Sequence, residues 1–220
     1  VLSVAAGAAA HARAVARPSR VTVGYSANLI VTPAVRELRR RHPDAEVRTQ
    51  HLAWNDARAA LLEHRVDVLV ARLPLRAAGL HVTVLYDEPR ALLLPAGHRL
   101  AGKESVTLDD IADEPLPRAS DPEWDAFWRV DPRPDGRPAP DGPWLSAVED
   151  KFELVASGQA LAIVPAGPGI VGSFRSDLTT VPLEGVEPSQ VVVATRAGEK
   201  SRLVAAFRKC AEALLTGPPG

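Results

Sequence analysis

Methionine is absent from this 220-residue chain, and a single cysteine, Cys210, is present. One thiol excludes an internal disulfide framework and any paired-thiol switch within one chain, and it cannot complete a zinc site. Neither sign of charge dominates. The 26 Lys and Arg nearly match the 27 Asp and Glu, so no global basic field draws the chain to nucleic acid. No apolar run reaches the length of a bilayer span, so no membrane partner is expected. The six histidines show no H-x-x-x-H or comparable metal spacing, and no serine stands in a G-x-S-x-G elbow. Glu149 and Asp150 are adjacent in sequence, which does not make them converge on a substrate. Catalytic residues, metal ligands and cofactors are therefore all expected to be none.

Glycine-rich stretches are also few. Gly167-Pro168-Gly169-Ile170-Val171-Gly172 matches a dinucleotide fingerprint letter by letter after a strand, with Glu184 and Glu187 near the place of a ribose-binding acid. The unit is shorter than the roughly 30 residues such a motif needs, and Pro168 removes a donor where phosphate wants one. A glycine-rich loop is the preferred reading.

What is present begins at Val21–Leu29. Val21, Val23 and Tyr25 alternate as a strand does, and Gly24 marks a close approach. Ser26 and Asn28 supply cap-type side chains before an apolar helical pattern over Leu29–Arg41, with Pro33 in its first turn. Glu46–Leu52 alternates as a second strand, Asn55 and Asp56 open a second helix, and Val66–Ala71 is a short buried strand ending at Arg72. Strand–helix–strand–helix–strand favours a parallel sheet with right-handed crossovers. Ligands of such sheets sit beyond the strands' carboxyl ends, here near Ser26, Trp54-Asn55 and Arg72.

Further along, Val82–Leu85 and Arg90–Leu94 are strand candidates, and Thr107–Asp110 resembles a capping box. Asp113–Ser120 reads as a proline-stiffened hinge strand. Asp121-Pro122-Glu123 starts a helix whose apolar side carries Trp124, Phe127 and Trp128. Asp131–Pro143 holds five prolines and reads as a surface excursion. Trp144–Val148 is expected as a strand, Lys151–Ser157 as a helix capped by Asp150 and Glu153, and Ala160–Val164 as a strand. Gly169–Arg175 is expected as a short helix, Leu178–Leu183 and Gln190–Thr195 as strands, and Ser201–Leu215 as an amphipathic helix bearing Leu203, Phe207, Cys210 and Leu214.

Several strings, in this order and spacing, resemble the effector-binding domain of LysR-type transcriptional regulators. They are Arg20–Tyr25, Arg41-His42-Pro43-Asp44-Ala45-Glu46-Val47, Val66-Asp67-Val68-Leu69-Val70-Ala71-Arg72, Leu92–Ala101 and Leu154–Pro165. The resemblance runs from about Arg20 to Leu215. It implies an α/β fold of two Rossmann-like lobes joined by two crossover strands, like the type II periplasmic binding proteins. Lobe I would comprise 20–115 plus 188–216, and lobe II 116–187. Residues 1–19 would be the end of a linker helix, whose Ala-rich start could otherwise be read as the remnant of a secretory signal. By position, effector contacts fall on Ser26, Asn28, Trp54, Asn55, Arg72, Arg118, Ser120 and Glu149. Arg72 and Arg118 make an anionic effector the better guess, since guanidinium pairs bidentately with carboxylate.

The partners implied are a small-molecule effector, a second copy of the chain through lobe I, and DNA only through an N-terminal winged helix-turn-helix that this sequence does not contain. A cytoplasmic regulator that is not an enzyme is expected. The alternative is an exported type II solute-binding protein of a transporter.

Overall fold

A computed structural model describes residues 19–26, 28–147, 149–166 and 175–217. The linker-helix expectation for 1–19 lies almost wholly outside these residues, as do the fingerprint Gly167–Gly172 and nearly all of the expected Gly169–Arg175 helix.

The first sheet has the order β2-β1-β3-β10-β4, made by β1 (Arg20–Ser26), β2 (Glu46–Leu52), β3 (Val68–Arg72), β10 (Ser189–Arg196) and β4 (Leu80–Glu88). β1 pairs in parallel with β2 and β3, whereas β10 runs antiparallel to β3 and β4. Period-two alternation sorts its side chains onto two faces. Val21, Val23, Val68, Val70, Val191 and Val193 face α1 (Thr32–Arg41) and α5 (Arg202–Leu214), meeting Leu38, Phe207 and Cys210. Leu69, Ala71 and Ala194 face the other way, onto Ala57, Ala60 and Leu61 of α2 (Ala57–Leu62). Each fully buried Val, Leu or Phe contributes about 1.5–3 kcal/mol, so both faces are strongly specified. Gly24 is required by this packing, because a Cβ there would lie 2.8 Å from Leu52 Cδ1 and 3.1 Å from both Val66 methyls.

The second sheet is antiparallel, in the order β8-β5-β9, from β8 (Ala162–Pro165), β5 (Arg90–Pro95) and β9 (Leu178–Pro182). Leu92, Leu94, Ile163 and Val181 pack with Trp128 of α3 (Pro122–Arg129), while Leu93 and Val164 pack with Val155 of α4 (Asp150–Ala156). β6 (Leu116–Arg118) and β7 (Asp141–Trp144) form a separate two-stranded pair.

The sheets are joined twice, between Glu88 and Arg90 and between Pro182 and Ser189. Arg90 ties the two crossings together. It is 5% exposed, its Nε donates to the Glu187 carbonyl at 2.6 Å, and its Nη1 donates to the Phe127 carbonyl at 2.8 Å. Burial lowers its pKa to about 10, which leaves it charged at neutral pH.

Four expectations need correction. β5, expected within the first lobe, bonds instead to β8 and β9 in the second sheet. Pro89 has no N–H to offer the β4–β10 ladder, so the chain leaves the first sheet there. Leu116–Arg118, expected as the hinge, instead lies inside the second body beside β7.

The proline-rich segment is more than a surface excursion. Arg129, 3% exposed, reaches Asp141 at 2.6 Å, Asp125 at 3.1 Å and the Ala139 carbonyl at 2.8 Å, and so pins the segment to α3. The strand expected at Trp144–Val148 lies earlier, at Asp141–Trp144, where Gly142 lets the chains approach. A Cβ on Gly142 would be 2.7 Å from the Leu116 carbonyl oxygen. Two apolar patterns also shift: the helix expected over Leu29–Arg41 begins at Thr32, leaving Ile30 before it and 74% exposed, and Leu215 rather than Leu214 is the buried residue at the end of α5.

Candidate functional site

β1, β2 and β3 end side by side, and the loops that follow them face the second body across a cavity of about 270 Å³. From the first body the wall includes Ser26, Asn28, Trp54, Asn55 and Arg72. These are five of the eight residues expected from the sequence. The opposite wall comes from α3, α4 and β8, with Trp124, Trp128, Lys151 and Ile163.

Ser26 and Asn28 do not cap α1. The N-cap is Val31, with no side-chain hydrogen bond, and Asn28 takes a left-handed conformation (φ 60°) that Asn tolerates better than most residues. Ser26 is 5% exposed. Asn55 precedes α2, whose N-cap is Asp56 and which likewise has no side-chain cap.

Arg72 is already engaged. Its Nε lies 2.6 Å from Glu88 Oε2 and its Nη2 lies 3.0 Å from Oε1, with both side chains nearly buried. Glu88 adjoins the first crossing, so this pair joins the cavity wall to the junction of the sheets.

The remaining three expected residues stand apart from the wall. Arg118 donates to Asp141 at 2.9 Å and stacks over Trp144 at 4.3 Å. Ser120 and Glu149 are exposed, and neither lines the cavity. With β6 inside the second body, Arg118 faces β7. The neighbouring Val148 lies outside the described residues.

Two wall residues had no signal in the sequence as ligand contacts. Lys151 sits in the first turn of α4, and its pKa is lowered to about 8, chiefly by burial and then by Arg72, against the opposing pull of Glu149. Trp128 is 7% exposed, and its indole Nε1 is buried with no partner among the described residues. An unpaired buried donor is costly, and an incoming acceptor would relieve that cost. Both depend on α3 and α4 meeting the first body, which no local pattern encodes.

Aromatic rings bridge the cleft. Trp54, from the first body, stacks on Trp124, from the second, at 4.4 Å and 27° between planes. Trp124 touches Trp128 at 5.8 Å, Trp128 meets Phe127 at 5.3 Å, and Arg90 lies 4.0 Å over the Phe127 ring. A continuous line of rings thus connects the cavity to the arginine that holds the two crossings. At the rim, Arg76 of the first body comes within 3.8 Å of Asp121 and 3.9 Å of Glu123.

The wall therefore combines flat apolar surface with hydrogen-bond donors and an excess of cationic over anionic side chains. Such a lining is chemically complementary to a small organic anion. Among the described residues no group of His, Cys, Asp and Glu could hold a metal ion, and no helix is long and apolar enough to cross a membrane.

Comparison with known proteins follows the same lines. The family described as the LysR substrate binding domain matches residues 14–215. The transcriptional regulator MetR of Salmonella typhimurium is 28% identical over 185 residues, covering 81% of this chain and 52% of MetR. The regulator AlsR of Bacillus subtilis is 28% identical over 106 residues, 48% of this chain and 35% of AlsR. The chain thus spans about half or less of these relatives. Among solved structures, the effector-binding domain of a BenM variant superposes with a TM-score of 0.74 at 21% identity, covering 92% of this chain and 99% of that one. The BenM effector-binding domain with its effector benzoate gives 0.71 at 21% identity, covering 91% and 96%. The shared fold is the two-lobed, periplasmic-binding-protein-like one.

Proposed function

Because this chain belongs to the LysR substrate-binding domain family, we propose that it senses a small organic anion held in the cleft between its lobes. Lobe I is then 20–88 with 189–216, and lobe II is 90–187. Lys151 is the counter-charge, and Ser26, Asn28, Asn55 and the Trp128 indole N–H supply hydrogen bonds. Trp54 and Trp124 close over the apolar part, with Arg72 at the wall. The observation that carries this reading is the convergence of Lys151 and Trp128 from lobe II on the strand ends of lobe I. Benzoate, the effector of a structural neighbour, is of the same chemical class.

The ligand acts by favouring one relative pose of the lobes. Arg90 and the Arg72–Glu88 pair sit where such a change must pass, at the crossings. In the whole protein, a cytoplasmic regulator, the pose reaches a DNA-binding domain through a homodimer formed by lobe I. There β2, at the edge of its sheet, offers unpaired backbone groups. No catalytic step is assigned.

The test is thermal unfolding in the presence of a panel of carboxylate metabolites. A binder at a hundred times its Kd stabilises by about 2.7 kcal/mol. The response should vanish in Lys151→Gln and persist in Arg118→Ala. A response that survives Lys151→Gln and is lost in a folded Arg118→Ala would move the site away from this cleft.

A further inference from the structure

Three of the four tryptophans in the chain, Trp54, Trp124 and Trp128, line the cavity between the lobes. They are not equivalent. Trp128 is 7% exposed and belongs to the buried cluster of the second body, so its ring is explained by the core. Trp124 packs against the edge of that cluster. α3 presents it, with its amide donating to Asp121 at 3.0 Å and its ring 5.8 Å from that of Trp128. Trp54 has no such account. It stands in the turn after β2, half-buried, and belongs to none of the buried clusters among the described residues. Its ring stacks on Trp124 across the cleft at 4.4 Å. A large flat ring that the core does not use marks a binding surface.

The cavity bounds the ligand that such a surface takes. Its volume of about 270 Å³ gives room for roughly nine water-sized groups, which is one six-membered ring with a short acid arm. Pro74, Leu75, Leu116 and Ile163 add apolar surface for the body of that ring.

We propose that the anion held in this cleft is a single-ring aromatic carboxylate, its ring against the Trp54–Trp124 pair and its carboxylate directed to Lys151. This names the ligand class of the cleft and rests on the anion-site reading above. Indole faces attract another π-system in offset or edge-on geometry, a gain beyond the burial of area. A saturated ring of the same outline is the more hydrophobic, so burial alone would favour it. The sign of the preference between the two therefore reports the aromatic contact itself.

The test is titration calorimetry with phenylacetate and cyclohexylacetate, which share the acid arm and the ring size. Both are used at millimolar concentrations, the range in which so small a ligand binds. Phenylacetate should bind the unaltered chain about two- to tenfold more tightly, the worth of one added aromatic pair. Trp54→Leu should remove that preference, and Trp54→Phe should keep it. If the Leu variant does not fold, the indole resonances of Trp54 and Trp124 in the unaltered chain decide, since phenylacetate should move them upfield by its ring current and cyclohexylacetate should not. Equal affinities, a preference for cyclohexylacetate, a preference that survives in folded Trp54→Leu, indole shifts no larger with phenylacetate, or binding of neither acid would each overturn the aromatic assignment. The anion site beneath it is judged separately, by thermal shifts with non-aromatic carboxylates and their loss in Lys151→Gln.

Discussion

Replacing Lys151 with Met should make the free protein more stable and blind to its ligand. Burial brings the Lys151 pKa from an ordinary 10.5 to about 8, with Arg72 adding to the shift. Each pKa unit corresponds to about 1.4 kcal/mol, so keeping this ammonium charged in the folded state costs about 3 kcal/mol at pH 7. Met has a similar helix propensity and volume and carries no such penalty. For a chain of this size the gain is a rise in melting temperature of roughly 5–10 °C. The sign can be checked independently. Between about pH 8 and 10.5 the unfolded chain holds the proton and the folded one does not, so this group makes stability rise with pH across that window. The variant should lack that component. Below pH 8 the whole penalty is present, and there the two proteins differ most. Denaturant unfolding at pH 7 and pH 10 measures both effects. A variant that is no more stable at pH 7, or that keeps the rise, would refute the reasoning. Binding of an anion should correspondingly weaken as pH climbs through about 8 in the unaltered protein, since the cation that pairs with it is being lost. A stabilising substitution that removes function is the usual signature of a binding group kept at the expense of the fold.

Other outcomes follow from the same contacts. Arg72→Leu strands Glu88, which is 4% exposed, and should cost about 3–5 kcal/mol in urea unfolding, whereas Arg72→Leu with Glu88→Leu should recover most of it. Arg129→Ala should cost about 1.5–3 kcal/mol in urea unfolding and speed amide hydrogen exchange at Arg133, Gly136 and Ala139, because the segment loses the bonds from the guanidinium to the Ala139 carbonyl and Asp141. Gly142→Ala places a Cβ 2.7 Å from a backbone oxygen and should destabilise by about 1–3 kcal/mol, read by the same unfolding assay.

Much of the first body is legible in the chain because its signals are local. The alternation of Val21 and Val23, and of Val68 and Val70 against Leu69 and Ala71, already sorts two faces before any coordinates are seen. Asp121 announces α3 by its own chemistry, accepting from the Glu123 and Trp124 amides at 3.0 Å each. The strand ends that carry Ser26, Trp54-Asn55 and Arg72 come together because parallel strands must end on one edge. The second body is less legible. β5 reads as another strand of the first body, and only its pairing with β8 and β9, about seventy or more residues downstream, reassigns it. Arg118 looks as suitable for an anion as Arg72 does, and nothing local reveals that Asp141 and Trp144 occupy it. Lys151 reads as an ordinary surface lysine of a first helical turn until Arg72 and the cleft wall are placed beside it.

The central claim is that one small anion touches both lobes at once. Intermolecular nuclear Overhauser effects between a carboxylate identified by thermal shift and the protein test it most directly. Cross-peaks are expected to the Trp54 ring from one lobe and to the Trp128 indole and the Lys151 methylenes from the other. Cross-peaks confined to a single lobe, or to residues away from this cavity, would contradict it.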